Sequence, residues 1–272
     1  MFGKETIRTG LAGIMLAALL TGIAITPAGA EDVLQIRSSS GAKLRSLLTG
    51  NPATARANII LLVGGRGMLK ISGKGRIKKP TSNFLARTRQ LFADAGYLTA
   101  LVDAPIDRRR GAGLLGGFRA SGEHGRDLSK IAKKLHAMNS KSVFVVGTSR
   151  GTVSAANLAL NDSFGFVKGA VLTSSLVKPN KKGRIITDLE LGKIAVPLLF
   201  VHNKGDKCKV TRLSDVKPIV KRLQRGGARV QFIVLRSDKK SGGHCRGRSP
   251  HGFFGIEAVA VNKIIEWISA TN

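Results

Sequence analysis

The chain has 272 residues, 43% of them hydrophobic, which is enough to fill a sizeable core and runs against both a disordered chain and a small disulfide-stapled scaffold. Lys+Arg 45 against Asp+Glu 16 gives a formal net charge of +29. A cation-covered surface of this kind bears on partners and solubility and leaves the fold open.

In chain order, Lys4 and Arg8 precede an apolar run from Leu11 to Ile25, and Ala28-Gly29-Ala30 then offers the small side chains that a signal peptidase reads. Residues 1–30 are therefore predicted to be a secretory signal and 31–272 a single exported domain, secreted or periplasmic. The apolar run falls short of the roughly 20 residues a bilayer-crossing helix needs, and no later segment reads as a span. Removing Lys4, Glu5 and Arg8 with the signal takes away only one net positive charge, so the basic character belongs to the folded domain.

A hairpin is predicted around Val33–Ile36 and Lys43–Leu47. Short apolar runs rich in β-branched residues follow at Asn58–Val63, Leu98–Val102, Ser142–Val146, Gly169–Thr173, Leu198–His202 and Val230–Leu235 and read as buried strands. Helical periodicity occupies Asn83–Ala95, Arg126–Met138, Thr152–Asn161, Asp215–Arg225 and Gly255–Ser269. This alternation predicts an α/β domain with a mostly parallel central sheet, helices on both faces and an antiparallel edge. Residues 104–121, with Arg108, Arg109 and Arg110, and residues 174–193, with Lys178, Lys181, Lys182 and Arg184, interrupt it. They read either as loops overhanging a site or as solvated connections.

Strand Ser142–Val146 runs directly into Gly147-Thr148-Ser149-Arg150-Gly151, with helical sequence from Thr152. A G-x-S-x-G between strand and helix is a turn so tight that it thrusts the serine above the sheet edge, at a helix N-terminus that favours developing negative charge. A serine hydroxyl becomes nucleophilic only when a base takes its proton, and that base needs an orienting carboxylate. In this architecture the order is serine, acid, histidine. Asp206 follows strand Leu198–His202, and His251 follows strand Val230–Leu235 just ahead of the last helix. Among the other histidines, His244 is assigned to structure or the site rim, His202 to a satisfied buried ring and His136 to a helix surface.

In an exported protein the pair Cys208 and Cys245 reads as a disulfide, tying the Asp206 loop to the His251 loop. Neither cysteine lies in a C-x-x-C pair, and no histidine spacing suits a zinc site. Strand Asn58–Val63 ends in Gly64-Gly65-Arg66-Gly67, where one oxyanion N–H is supplied, by Gly65 or Arg66; the second comes from Arg150. Arg119 stands on a loop before the second long helix, either to hold a substrate carboxylate or to pair with Asp103 or Asp127.

From about Ile59 to Trp267 the chain resembles the α/β-hydrolase superfamily, and within it small secreted or periplasmic members of dienelactone-hydrolase-like size. The resemblance rests on Val63-Gly64-Gly65-Arg66-Gly67, Val102-Asp103-Ala104-Pro105, Phe118-Arg119-Ala120-Ser121, Gly147-Thr148-Ser149-Arg150-Gly151, Asp206-Lys207-Cys208 and Pro250-His251-Gly252-Phe253. It implies a Ser149 nucleophile, an Asp206 acid and a His251 base acting on a small ester or similar acyl substrate, with no cofactor. The oxyanion loop lacks the His-Gly-Gly-Gly form of many lipases and no large apolar lid is evident, which speaks against long-chain lipase activity. The expectation is a serine hydrolase, foremost an esterase, with amidase, thioesterase and lactonase open to the same machinery.

The rival is a non-catalytic, cation-rich binding protein on the same scaffold, associating with anionic envelope components or nucleic acid. One Trp and one Tyr give little aromatic interleaving, so specific nucleic-acid recognition is not expected. Electrostatic association would weaken steeply with salt, whereas hydrolysis of a small neutral ester would not.

Overall fold

The structure is a computed structural model that describes residues 1–3, 31–78 and 82–272; the expected signal segment, beyond its first three residues, lies outside the described residues. Eight strands form one sheet in the order β1-β2-β4-β3-β5-β6-β7-β8. They are β1 (Asp32–Arg37), β2 (Lys43–Thr49), β3 (Asn58–Leu62), β4 (Leu98–Val102), β5 (Val143–Thr148), β6 (Val167–Thr173), β7 (Leu198–Asn203) and β8 (Val230–Leu235). The expected hairpin is β1–β2, β2 runs antiparallel to β4, and every pair from β4 through β8 is parallel. Parallel strands need crossover helices, and those helices bury both faces, which is why β3, β4 and β5 are buried along their whole length and read as near-continuous apolar runs.

Alternation along β3 divides the core. Ile59 and Leu61 pack with Phe84 and Phe92 of α1 (Phe84–Asp94) and with Ile264 and Trp267 of α5 (Glu257–Thr271). Ile60 and Leu62 belong to the opposite layer, with Leu128 and Ile131 of α2 (Gly122–Asn139), Val153 of α3 (Gly151–Asn161) and Val216 of α4 (Leu213–Arg225). Each of these side chains is almost fully buried, a gain of about 1.5–3 kcal/mol apiece.

The helix starts differ from the periodicity by one to four residues, and two of the shifts have a local cause. Helix α2 begins at Gly122, ahead of the expected Arg126, because the Ser121 side chain accepts the His124 N–H at 3.2 Å and caps it. The poor helix formers Gly122 and Gly125 concealed that turn. Helix α5 begins at Glu257, after the expected Gly255, because Gly255 has φ +83 and cannot continue into a right-handed turn.

The two interrupting stretches are packed. Ala104, Leu114 and Phe118 form a small apolar cluster with Met68, and Gly116 N–H donates to the Lys182 carbonyl at 3.3 Å, joining one stretch to the other. Among the described residues no helix is long and apolar enough to cross a membrane.

Candidate active site

All the candidate groups follow carboxyl ends of parallel strands, where such sheets place their ligands. Ser149 sits between β5 and α3 with φ +54, a left-handed conformation that costs a side-chain-bearing residue of order 1–3 kcal/mol and is held only when its surroundings insist. They do: Ser149 N–H donates to the Thr173 carbonyl at 2.9 Å, and the Ser149 carbonyl accepts the Thr152 N–H at 3.0 Å. A Cβ on Gly147 would stand 2.4 Å from the Gly151 carbonyl oxygen, and one on Gly151 only 2.0 Å from that of Leu62. Strand, turn and helix approach so closely that glycine is obligatory on both sides. The loop after β3 abuts the serine, since a Cβ on Gly64 would lie 3.0 Å from Ser149 Cβ.

Asp206 and His251 meet across 45 residues of sequence. His251 Nδ1 donates to Asp206 Oδ2 at 2.9 Å, with the side chains 6% and 0% exposed. Donation from Nδ1 assigns the proton to that nitrogen and leaves Nε2 the basic lone pair. Two further donors hold the carboxylate: Thr211 Oγ1 to Oδ2 at 3.0 Å and the Cys208 N–H to Oδ1 at 2.8 Å. Ser174 Oγ donates to the His251 carbonyl at 2.8 Å. Because Ser174 follows Thr173, the end of β6 touches both the serine and the histidine segments. No hydrogen bond joins Ser149 Oγ to His251 among the described residues; such contacts are often long until substrate is seated. Thr211 and Ser174 were not singled out from the sequence, where a lone hydroxyl in a loop carries no signal.

The expected Cys208–Cys245 disulfide is present, joining residues 37 positions apart in sequence, with Cα atoms 4.7 Å apart. It anchors the loop carrying Asp206 to the segment ahead of His251. Chain-entropy reasoning gives a closed loop of that length about 4 kcal/mol at most, with about 2–4 kcal/mol typical. Replacing both cysteines by alanine is therefore expected to lower urea stability by about 2–4 kcal/mol. A midpoint equal to wild type would show that the bridge does not constrain the unfolded chain.

Gly65 and Arg66 are exposed beside the site, and Arg150 is half-buried, its Nη2 donating to Asn180 Oδ1 at 2.6 Å. Burial lowers the Arg150 pKa. Arg119 pairs with neither expected carboxylate. Asp103 is held by Arg109 at 2.7 Å and by the N–H groups of Leu69 and Ile71, while Asp127 accepts from Ser39 and faces Lys130. Arg119 is itself buried, with its guanidinium turned to carbonyls and a serine instead of outward over the site. His244 is exposed, its carbonyl accepting Ser249 Oγ at 2.9 Å, and the His136 ring stacks on Phe166.

Two further histidines are buried. His202 Nε2 accepts the Ser175 N–H at 3.0 Å, but its Nδ1 is buried with no hydrogen-bond partner among the described residues, so the ring is only half satisfied where full satisfaction was expected; His124 Nε2 lies 2.9 Å from Ser154 Oγ. Burial pushes both rings down to about 3; Arg119 and Arg108 add to the effect on His124, and Asp206 opposes it on His202. In the unfolded chain the same rings take up protons near 6.5. The unfolded state thus binds more protons between these values, so this contribution is complete above about pH 6.5 and is lost as pH falls toward about 3. Urea midpoints are expected to decline below about pH 6.5, each ring contributing up to about 1.4 kcal/mol per pH unit, and His124→Gln is expected to flatten the decline. An equal decline in wild type and variant would assign it to other groups.

No family model and no curated protein matches the chain. Solved structures do. MGS-M1, an α/β-hydrolase enzyme from a Medee basin deep-sea metagenome library, is 15% identical with a TM-score of 0.61, over 90% of this chain and 98% of its own. An esterase from Pyrococcus furiosus is 15% identical with a TM-score of 0.60, over 89% and 92%. Dipeptidyl peptidase 4 from Porphyromonas gingivalis is 11% identical with a TM-score of 0.57, over 87% of this chain but 36% of its own. A mostly parallel eight-stranded sheet, helices on both faces and a strained serine turn after the fifth strand make this chain an α/β-hydrolase fold, as in these structures.

Proposed function

We propose that the chain is a serine hydrolase that cleaves an ester or related acyl bond through a covalent acyl-enzyme. The observation that carries this reading is the buried Asp206–His251 pair at the same sheet edge as a serine held at φ +54. Ser149 Oγ attacks the substrate carbonyl carbon while His251 Nε2 takes its proton. Asp206 keeps the other ring proton on Nδ1 and stabilises the imidazolium. The oxyanion receives the N–H of Arg150 and that of Gly65 or Arg66. The tetrahedral adduct collapses as the leaving group departs with the proton from His251. Water then attacks the acyl-enzyme, again giving a proton to His251, and the acid leaves as Ser149 recovers its hydrogen.

The esterases among the structural neighbours support an ester as the leading substrate class, while the peptidase keeps an amide open. The predicted signal and the disulfide support an exported protein. A surface hollow lined by Arg45, Lys70, Lys78, Arg109 and Arg110, with Asp107 its sole carboxylate, supports residence against anionic surfaces.

The test is a panel of chromogenic short- to long-chain acyl esters and amides, with a serine-directed fluorophosphonate as covalent probe. Turnover of at least one acyl class is expected, with a single adduct mapped to Ser149. An adduct on another residue, or none, together with no turnover across the panel, would favour the binding protein.

A further inference from the structure

The two expected oxyanion donors come from separate parts of the chain, one on the loop after β3 and the other at the start of α3. Pairing of β3 with β5 brings the two segments side by side, but the loop after β3 that carries the first donor extends beyond that pairing. Arg119, in the short 3₁₀ turn Phe118–Ala120, touches both parts. Its Nη1 donates to Ser154 Oγ of α3 at 2.8 Å, and its Nη2 donates to the Val63 carbonyl at 2.9 Å and the Gly65 carbonyl at 3.4 Å. We propose that Arg119 is a positioning residue for the oxyanion site, a rigid fork that fixes the loop after β3 against the helix that follows the nucleophile.

Several features make the fork specific. Arg119 is 5% exposed and, among the described residues, has no carboxylate within ion-pair distance. A buried cation without a counterion is costly, so stability alone would favour an apolar residue of similar size. Here Nη1 and Nη2 instead serve Ser154 and two carbonyls that no strand takes up, while Nε is buried without a hydrogen-bond partner among the described residues. In a trans peptide the N–H points away from the carbonyl, so holding the Gly65 carbonyl orients the plane carrying the Arg66 N–H, one of the two expected donors, while holding the Val63 carbonyl fixes the plane by which the chain enters the loop at Gly64. The intervening Gly64 carbonyl is held by the Gly67 N–H at 3.2 Å. The anchor is held in turn: Ser154 Oγ, receiving from Arg119, has its own hydrogen for His124 Nε2 at 2.9 Å, and Asn157 Nδ2 donates to the Arg119 carbonyl at 3.0 Å. A lysine has no planar fork and cannot bridge the same partners.

This inference rests on the hydrolase reading. The experiment measures kcat, KM and melting temperature for wild type, Arg119→Met, Arg119→Lys, Ser154→Ala and Ser149→Ala on the best ester of the panel. Assays are run well below every melting point. Arg119→Met is expected to lose on the order of 10²-fold in kcat with KM within about three-fold, the pattern of a lost transition-state contact. Arg119→Lys is expected to recover only part of it. Ser154→Ala, which removes one anchor, is expected to lose on the order of ten-fold. A purely structural arginine would lower the melting temperature and leave kcat of the folded variant within about two-fold of wild type, and that result would overturn the proposal. Should Arg119→Met not fold, Ser154→Ala decides by the same criterion. Wild type no faster than Ser149→Ala would remove the hydrolase reading and this inference together, whereas normal wild-type turnover with unaffected variants would remove the inference alone.

Discussion

Replacing Ser149 by alanine is expected to lower kcat on a chromogenic ester by roughly 10⁶-fold, about 8 kcal/mol of transition-state stabilisation, with little change in KM. The size of the effect follows from what the hydroxyl does. Without it no acyl-enzyme forms, and the reaction reverts to direct attack by water, assisted only by the oxyanion donors and binding. The buried Asp206–His251 pair survives in the variant, because none of its bonds involves Ser149. Yet an oriented base has no nucleophile to activate. His251→Ala should therefore cost a similar factor, and the double variant should be no worse than either single one, since the residues act as a unit. Steady-state kinetics on the three variants, with circular dichroism to verify folding, checks this. Additive losses in the double variant, or a residual rate within ten-fold of wild type in Ser149→Ala, would mean that another group carries the chemistry.

The central strands were legible in the sequence because the sheet is buried on both faces there. Runs such as Ile59–Leu62 and Val143–Val146 are too short for a buried helix and, with their β-branched residues and the glycine or polar residues at either end, read as strands. The serine turn was legible for a steric reason: Gly147 and Gly151 each lie where a Cβ would strike backbone, so the constraint is written in residue type. Asp206 and His251 were readable only through chain order and position after a strand, and the disulfide through the count of cysteines. What remained hidden depends on pairing at a distance. The sequence left Arg119 either holding a substrate carboxylate or paired with Asp103 or Asp127, but those carboxylates are held by Arg109, Leu69, Ile71, Ser39 and Lys130, and the guanidinium is buried against Val63 and Ser154. Thr211 and Ser174 are likewise ordinary hydroxyls until the fold sets one beside Asp206 and the other beside the His251 carbonyl. The start of α2 was misplaced for a related reason, since a cap at Ser121 outweighs two glycines that disfavour helix.

Asp206→Asn is expected to lower kcat by about 10⁴-fold, near 5.5 kcal/mol, while leaving the fold in place. The carboxylate accepts on both oxygens: Oδ2 takes the His251 Nδ1 proton at 2.9 Å and Thr211 Oγ1 at 3.0 Å, and Oδ1 takes the Cys208 N–H at 2.8 Å. An amide of the same shape has one acceptor and one donor end. If its oxygen stays with Cys208, its NH₂ faces Nδ1 and can bond only to an unprotonated nitrogen, which drives the ring proton to Nε2. A ring protonated there cannot accept a proton from Ser149. If the amide turns over, its NH₂ is set against the Cys208 N–H, inside a loop pinned by the disulfide, and one buried donor loses its partner at about 1–3 kcal/mol. Either orientation removes the base or strains the loop that aims it. The loss should therefore appear in kcat rather than KM, and in the rate of fluorophosphonate labelling at Ser149. It should be smaller than the loss in Ser149→Ala, because the nucleophile and the oxyanion donors remain. Labelling and turnover within ten-fold of wild type would show that the orientation of His251 is set by Thr211 and Ser174 without the carboxylate, and that the negative charge behind the ring is not part of the mechanism.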